Sequence, residues 1–329
     1  MPNPLLSMHN VRLEFSTEQG IVHALRGIDL EVGRDEVIGL VGESGCGKTV
    51  LGLSILGLNP TPPARLLEGS RILFMGRDIA QLTRNELALV RGTGISMIFQ
   101  EPATSLNPVY TIGDQITESI KLRIQRSEKT SSPSSSRIDE QVYEALRLVK
   151  IADPERVAHR YPHELSGGMK QRAMIAMALA AKPSMLVADE PTTALDVTIQ
   201  AQILRLMRDL MNEVKASILF ITHDLGVIAE IADRVAVMYA GRIVEESRVE
   251  ELFEGPLHPY TQGLLASLPR LSDLGKEIQQ LPGSVPDAID PPQGCSFHPR
   301  CKFAMDHCRT IQPELKEVQP GRKVACHLY

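Results

Sequence analysis

The sequence predicts an α/β fold: parallel strands covered by helices on both faces, followed by a small cysteine-rich module. Three observations carry this expectation. Short apolar runs alternate with helix-length runs through most of the 329 residues. A glycine-rich turn, GESGCGKT (Gly42–Thr49), lies between an apolar strand and a helix. Four of the five cysteines fall in the last 35 residues, after a stretch rich in proline and glycine.

In chain order, Val11–Phe15, Ile28–Val32 and Val37–Val41 have the pattern of strands parted by turn and charged residues. Val50–Leu58, after the glycine-rich turn, is long enough for a helix. Ile72–Met75 and Ile95–Phe99 follow as short strands, and Gln115–Gln125 has helical apolar spacing. The next segment, RSEKTSSPSSSR (Arg126–Arg137), cannot bury a core and is expected to be a flexible surface insertion. Helical patterning resumes over Ile138–Val149 and Met169–Ala181. Met185–Ala188 and Ile218–Ile221 are continuous apolar runs, as buried parallel strands require, and they bracket a helix over Val197–Val214. From about Glu250 proline and glycine increase, and LPGSVPDAIDPPQG leads into the small module. No internal repeat is visible.

Composition excludes several classes. With 43% hydrophobic and 23% charged residues the chain suits a soluble protein with a sizeable core. A net charge of −5 offers no basic face for nucleic acid, and aromatics are few, so base stacking is not expected either. The start, MPNPLLSMHNVRLEF, lacks the basic and apolar parts of a secretory signal. The most apolar stretch, AMIAMALAAKPSMLVA, is interrupted by Lys182 and Pro183, so no membrane span is expected. A cytosolic location follows, and with it reduced thiols.

The turn Gly42–Thr49 matches G-x-x-x-x-G-K-[ST]. Its glycines let successive N–H groups point inward at phosphate oxygens, and the following helix aims its positive end at the same anion. Lys48 can reach the outer phosphates, and the Thr49 hydroxyl can ligate magnesium. Cys46 inside the loop is read as a small side chain at a variable position. The run MLVADE ends in Asp189 and Glu190, at the carboxyl end of a parallel strand, where such sheets bind ligands. Asp189 would hold magnesium, directly or through water, and Glu190 would be the general base that orients the attacking water. Gln100 closes the strand ISMIFQ and His223 closes ILFITH; each could place a polar group beside the γ-phosphate.

LSGGMKQR (Leu165–Arg172) resembles the signature motif of ATP-binding-cassette proteins, and its spacing to MLVADE, TALD (Thr193–Asp196) and ITHD (Ile221–Asp224) is similar to that family throughout. The resemblance covers roughly Leu6–Val249. It implies a P-loop NTPase with a RecA-like core, an N-terminal antiparallel β part and an inserted helical subdomain (about 101–180). The cassette would occupy residues 1–250 and a transporter-type module with a four-cysteine metal site residues 251–329. It also implies an ATP site of Phe15, on which adenine would stack, with Gly42, Ser44, Gly45, Cys46, Gly47, Lys48, Thr49 and Val50. Magnesium would be held by Thr49, Gln100 and Asp189, with Glu190, His223 and Gln100 serving catalysis. Ser166, Gly167, Gly168 and Gln171 would engage the γ-phosphate held by an opposite subunit, with Asp196 in the adjoining loop, so that ATP glues two cassettes together.

Phe99–Ile116, Glu190–Ile203, MYAGRIVE (Met238–Glu245), HPYTQGLL (His258–Leu265) and the cysteine tail resemble the oligopeptide/dipeptide permease branch. That branch implies two membrane permease subunits, a second and different ATPase subunit, and an extracytoplasmic solute-binding protein, with this chain peripheral on the cytoplasmic face. Peptide is the expected cargo; nickel, glutathione or another small solute is the alternative within transport. A soluble cassette ATPase is the alternative outside it, although neither a second cassette nor a long coiled coil is present. The segment after Gln100, with the helix Ile112–Gln125, is expected to receive the permease. Cys295, Cys301, Cys308 and Cys326 are spaced too widely for the usual C-x₂₋₄-C zinc pairs, although His298, His307 and His327 could help one. Four thiolates on longer loops can hold a [4Fe–4S] cluster. The branch implies such a cluster; zinc and free buried thiols stay open as alternatives.

Overall fold

The computed structural model describes residues 3–127, 135–193, 196–268 and 281–329. The chain divides into two compact units: Met1–Val32, Val37–Ala80 and Ile221–Tyr329 form the first, Gly33–Glu36 and Gln81–Phe220 the second. Residues 128–134 of the serine-rich segment lie outside the described residues, as do 269–280 of the linker.

The first unit begins with β1 (Leu6–Thr17) and β2 (Gly20–Val32), an antiparallel pair whose ladder runs from Leu6↔Val32 to Thr17↔Gly20. Both are longer than the sequence pattern suggests. The pattern of β1 breaks at Asn10, which takes φ 47 where the ladder shifts register, yet its N–H donates to Asp29 Oδ1 (2.9 Å) and keeps the pair joined. β3 (Val37–Val41) is buried at all five positions and feeds the glycine-rich turn and α1 (Lys48–Ile55). β4 (Ala64–Leu66) pairs with β1, and β5 (Arg71–Phe74) and β6 (Arg77–Asp78) complete an antiparallel sheet ordered β2-β1-β5-β6.

The second unit carries α2 (Arg84–Val90), β7 (Ile95–Ile98), α3 (Pro102–Ser105), α4 (Ile112–Ser127), α5 (Ser135–Leu148), α6 (Pro154–Ala158) and α7 (Gly167–Ala180). β8 (Met185–Asp189), α8 (Val197–Val214) and β9 (Ser217–Thr222) follow, the last two residues of β9 already belonging to the first unit. β7 and β8 are parallel and fully buried, mostly apolar with Ser96 and Asp189 as the polar exceptions. α4, α5 and α7 pack together: Ile112, Ile116 and Ile120 recur every fourth residue along α4, and all are buried. Arg123 of α4 donates to the Ala180 carbonyl (3.0 Å) at the end of α7.

The chain returns to the first unit with α9 (Leu225–Ile231), β10 (Arg234–Tyr239), β11 (Arg242–Arg248), α10 (Val249–Glu254) and α11 (Pro259–Ala266), and ends with β12 (Lys316–Gln319) and β13 (Arg322–Val324). Here the strand order is β12-β13-β11-β10-β3. β10 runs parallel to β3, but the other pairs are antiparallel, so the sheet is mixed where a parallel one is expected. The reason is local. Ala240 and Gly241 both take positive φ (44 and 77), the geometry of a two-residue hairpin turn, and fold β11 back on β10. The tail belongs to the first unit: β13 pairs with β11 at Glu245↔Val324, and Arg26 donates to Ser296 Oγ (2.8 Å).

Candidate nucleotide site and cysteine cavity

In the first unit the glycine-rich turn forms a closed cradle between β3 and α1. A Cβ on Gly42 would lie 2.2 Å from the Met238 carbonyl oxygen, and one on Gly47 (φ 105) 2.6 Å from that of Ala24, so no larger residue fits at either position. The Gly241 N–H donates to the Cys46 carbonyl (2.9 Å), tying the loop to the β10–β11 turn. Lys48 is 5% exposed, and its ammonium donates to the carbonyls of Gly42 (2.8 Å) and Glu43 (3.1 Å). The charge is therefore held over the loop before any phosphate arrives. Ser44, Gly45 and Thr49 are exposed on the rim, Val50 is half-buried, and Phe15 is half-buried on β1 opposite Val22. Cys46 is buried, and burial pushes its thiol up. His223 is exposed at the end of β9, just before Asp224 caps α9 through the Gly226 N–H (2.8 Å).

In the second unit Asp189 ends β8 at 2% exposure, and Glu190 follows in a left-handed conformation, φ 45. That conformation costs a residue with a Cβ about 1–2 kcal/mol. Two donors hold the side chain in place: Gln100 Nε2 (3.0 Å) and the Thr193 hydroxyl (2.9 Å) both donate to Glu190 Oε2. Gln100, two residues after β7, and Glu190 are thus brought together, and Thr193, three residues after Glu190, joins them. Oxygen donors such as Thr49, Gln100 and Asp189 are the ligand type that magnesium takes.

The signature residues lie in the same unit. Ser166 caps α7, accepting from the Met169 N–H (3.4 Å), and a pocket of about 400 Å³ is lined by Ser166, Gly167, Gly168, Arg172, Asp196 and Ile199 among others. Gln171, expected with them, is 1% exposed inside the helix packing and does not line this pocket; at a helix start the next residue, Arg172, points to the open side. Arg172 is fixed by the Val149 carbonyl (2.8 Å) and Gln202 (3.2 Å). Of the adjoining TALD segment, Ala194 and Leu195 lie outside the described residues.

The tail cysteines meet. Cys295, Cys301, Cys308 and Cys326 all line one cavity of about 10 Å³, the size of a single water, with Phe297, Met305 and His258 also in its wall. Burial, with neighbouring cysteines adding to it, pushes Cys295 up to about 11 and raises Cys301 and Cys326. The donor set is the type a thiolate-bound metal needs. Its closure is not there: among the described residues no group of three or more His, Cys, Asp or Glu side chains is disposed to hold a metal ion. The four thiols are gathered at one cavity. His298 and His327 also line the cavity, but they bond elsewhere, to the carbonyls of Cys295 (2.9 Å) and Ile311 (2.9 Å).

A phosphate cradle with a stapled lysine, an Asp–Glu strand end and a capped signature helix define a P-loop ATPase of the cassette class. Comparison with known proteins agrees. The family described as ABC transporter matches residues 25–193, and the oligopeptide/dipeptide transporter C-terminal region matches residues 244–308. A probable peptide ABC transporter ATP-binding protein of Sinorhizobium fredii is 50% identical over 325 residues, covering 98% of this chain and 94% of the relative. The dipeptide transport ATP-binding protein DppD of Bacillus subtilis is 46% identical over 324 residues, covering 98% and 94%. Among solved structures, a dimeric ATP-binding cassette in a post-hydrolysis state with ADP and Pi aligns at TM-score 0.65 and 25% identity, covering 74% of this chain and 98% of its own. The chain belongs to the ABC transporter family and is an ATP-hydrolysing cassette.

Proposed function

We propose that the chain is the ATPase subunit of an importer of di- and oligopeptides, acting at the cytoplasmic face of the membrane. Peptide transport is what the relatives' names record over nearly their whole length, and the tail matches the region described for oligopeptide and dipeptide transporters. The observation that carries hydrolysis is Glu190, held by Gln100 and Thr193 beside the buried Asp189. Glu190 accepts the proton of the attacking water, Lys48 and the loop N–H groups hold the phosphates, and His223 donates to the transferred phosphoryl. Magnesium, when bound, neutralises charge on the β- and γ-phosphates; Thr49, Gln100 and Asp189 would hold it. The open pocket at Ser166–Gly168 takes the γ-phosphate carried by the partner cassette, a second and different ATPase subunit, and closure of the pair drives two permease subunits fed by a solute-binding protein. Phe99, Val109 and Tyr110 are 39%, 72% and 55% exposed around the segment after Gln100, an apolar surface suited to a permease cytoplasmic loop.

The complex purified with its permeases and binding protein, placed in proteoliposomes, tests this reading. Peptide accumulation coupled to ATP turnover is the expected result; accumulation of nickel or glutathione instead would replace the cargo.

For the tail, the four thiols sharing one cavity support a [4Fe–4S] cluster, with zinc as the alternative. Bound metal would deprotonate thiols that burial otherwise keeps protonated. Anaerobic protein should contain about four irons per chain for one full cluster. Stoichiometric zinc without iron rejects the cluster, and no metal at all rejects both.

A further inference from the structure

The phosphate cradle contains a carboxylate, Glu43, at its second position. A negative charge there opposes a polyphosphate, so its treatment matters. The tail supplies the answer. Arg300, in the short turn between Cys295 and Cys301, donates from Nη1 to Glu43 Oε2 (2.7 Å) and from Nη2 to Glu43 Oε1 (3.0 Å), a two-point pair. The Arg300 side chain is 5% exposed and that of Glu43 29%. The guanidinium is fixed on every side: its Nε donates to the Pro282 carbonyl (2.8 Å), Nη1 also reaches Tyr239 Oη (3.4 Å), and its carbon lies 5.7 Å from the Tyr239 ring and 5.9 Å from the Phe297 ring. Glu43 is held from the backbone too, its N–H donating to Tyr260 Oη (2.9 Å) while its carbonyl accepts from Lys48 (3.1 Å).

We propose that Arg300 is a positioning residue for the ATP site: it cancels the Glu43 charge inside the phosphate cradle and fixes the loop that Lys48 spans. It touches no reacting atom and acts through Glu43. Two neighbours of the cysteine cavity, Phe297 and Cys301, flank Arg300 in space and in sequence, so the packing of the cysteine module sets the cradle's affinity, and by linkage nucleotide binding tightens the module. The inference depends on the nucleotide site alone, not on the transported solute or on what the cysteines hold.

ATP affinity and steady-state turnover of the full complex, measured for single and double variants, test it. Arg300→Ala leaves Glu43 uncompensated and should weaken ATP binding about tenfold or more, raising KM with kcat nearly kept. Adding Glu43→Gln to Arg300→Ala should recover most of that loss, because the repelling charge is gone. A role in holding the tail alone predicts no recovery. Glu43→Asp and Glu43→Gln give an independent arm that leaves Arg300 untouched, in case Arg300→Ala fails to fold. The shorter carboxylate keeps the charge but falls short of Arg300, so Glu43→Asp should bind ATP more weakly than Glu43→Gln. Unchanged affinity in Arg300→Ala, equal weakness in the single and double variants, or tighter binding by Glu43→Asp than by Glu43→Gln would overturn the proposal.

Discussion

Two helix starts in this chain, those of α1 and α7, are built differently. At α1 the preceding residue is Gly47, with no side-chain cap, and the loop before it is walled in by Ala24, Met238 and Gly241 and spanned by the buried Lys48. At α7 the cap is Ser166, and the start opens into a pocket of about 400 Å³ with Arg172 on its side. The first arrangement is walled in by groups of the first unit. The second leaves a face open. Under the proposed function, one cassette holds its own nucleotide at α1 and acts on a second nucleotide at α7.

Three changes sharpen this contrast, in falling order of effect. Glu190→Gln should keep ATP binding while turnover falls about 10²–10⁴-fold, since the general base is lost and the cradle is intact. Near-normal phosphate release in a steady-state assay would remove Glu190 from that role. Lys48→Ala should weaken ATP binding about 10²-fold, through loss of charged hydrogen bonds to two phosphates. Titration with a fluorescent ATP analogue reads this, and a change of less than about threefold would show that the loop N–H groups suffice. Ser166→Ala should cost only about 0.5–1 kcal/mol of stability, at the low end for a helix cap because its bond is long, and leave nucleotide affinity of the isolated chain where it was. Thermal unfolding with and without ATP separates the two effects; a loss of ATP affinity in the isolated chain would contradict the division between the two helix starts.

The same contrast explains what was legible in the sequence. GESGCGKT could be read because its demands are local: Gly42 and Gly47 have no room for a Cβ, and Lys48 follows at fixed spacing. β3, β8 and β9 could be read because strands buried on both faces carry a continuous apolar stretch, here Val37–Val41, Met185–Ala188 and Ile218–Ile221. β11 could not. Its residues Glu245, Glu246 and Ser247 are charged or polar yet fully buried, which no hydropathy rule places in a strand. Their partners come from elsewhere: Glu245 accepts from the Leu257 (2.7 Å) and His258 (2.8 Å) N–H groups, and Glu246 pairs with Arg234 and Lys323. Gln171 fell inside the helix packing for the converse reason, that a motif fixes order along the chain and not which side of a helix faces out. Arg300 and Glu43 lie 257 residues apart, and no local pattern announces their pairing. The cysteine tail is intermediate: composition foretold that its thiols gather, and the geometry of a bound group was never in the spacing.

The central claim, that the Ser166 pocket acts on a nucleotide carried by another cassette, is tested most directly by association. Sedimentation of the Glu190→Gln chain with its cognate second ATPase, with MgATP and with MgADP, reports whether nucleotide joins two cassettes. The account predicts a two-cassette species with MgATP, little of it with MgADP, and marked weakening when Ser166→Arg fills the pocket while the chain's own ATP binding persists. Equal association in both nucleotides, or full association after Ser166→Arg, would contradict it.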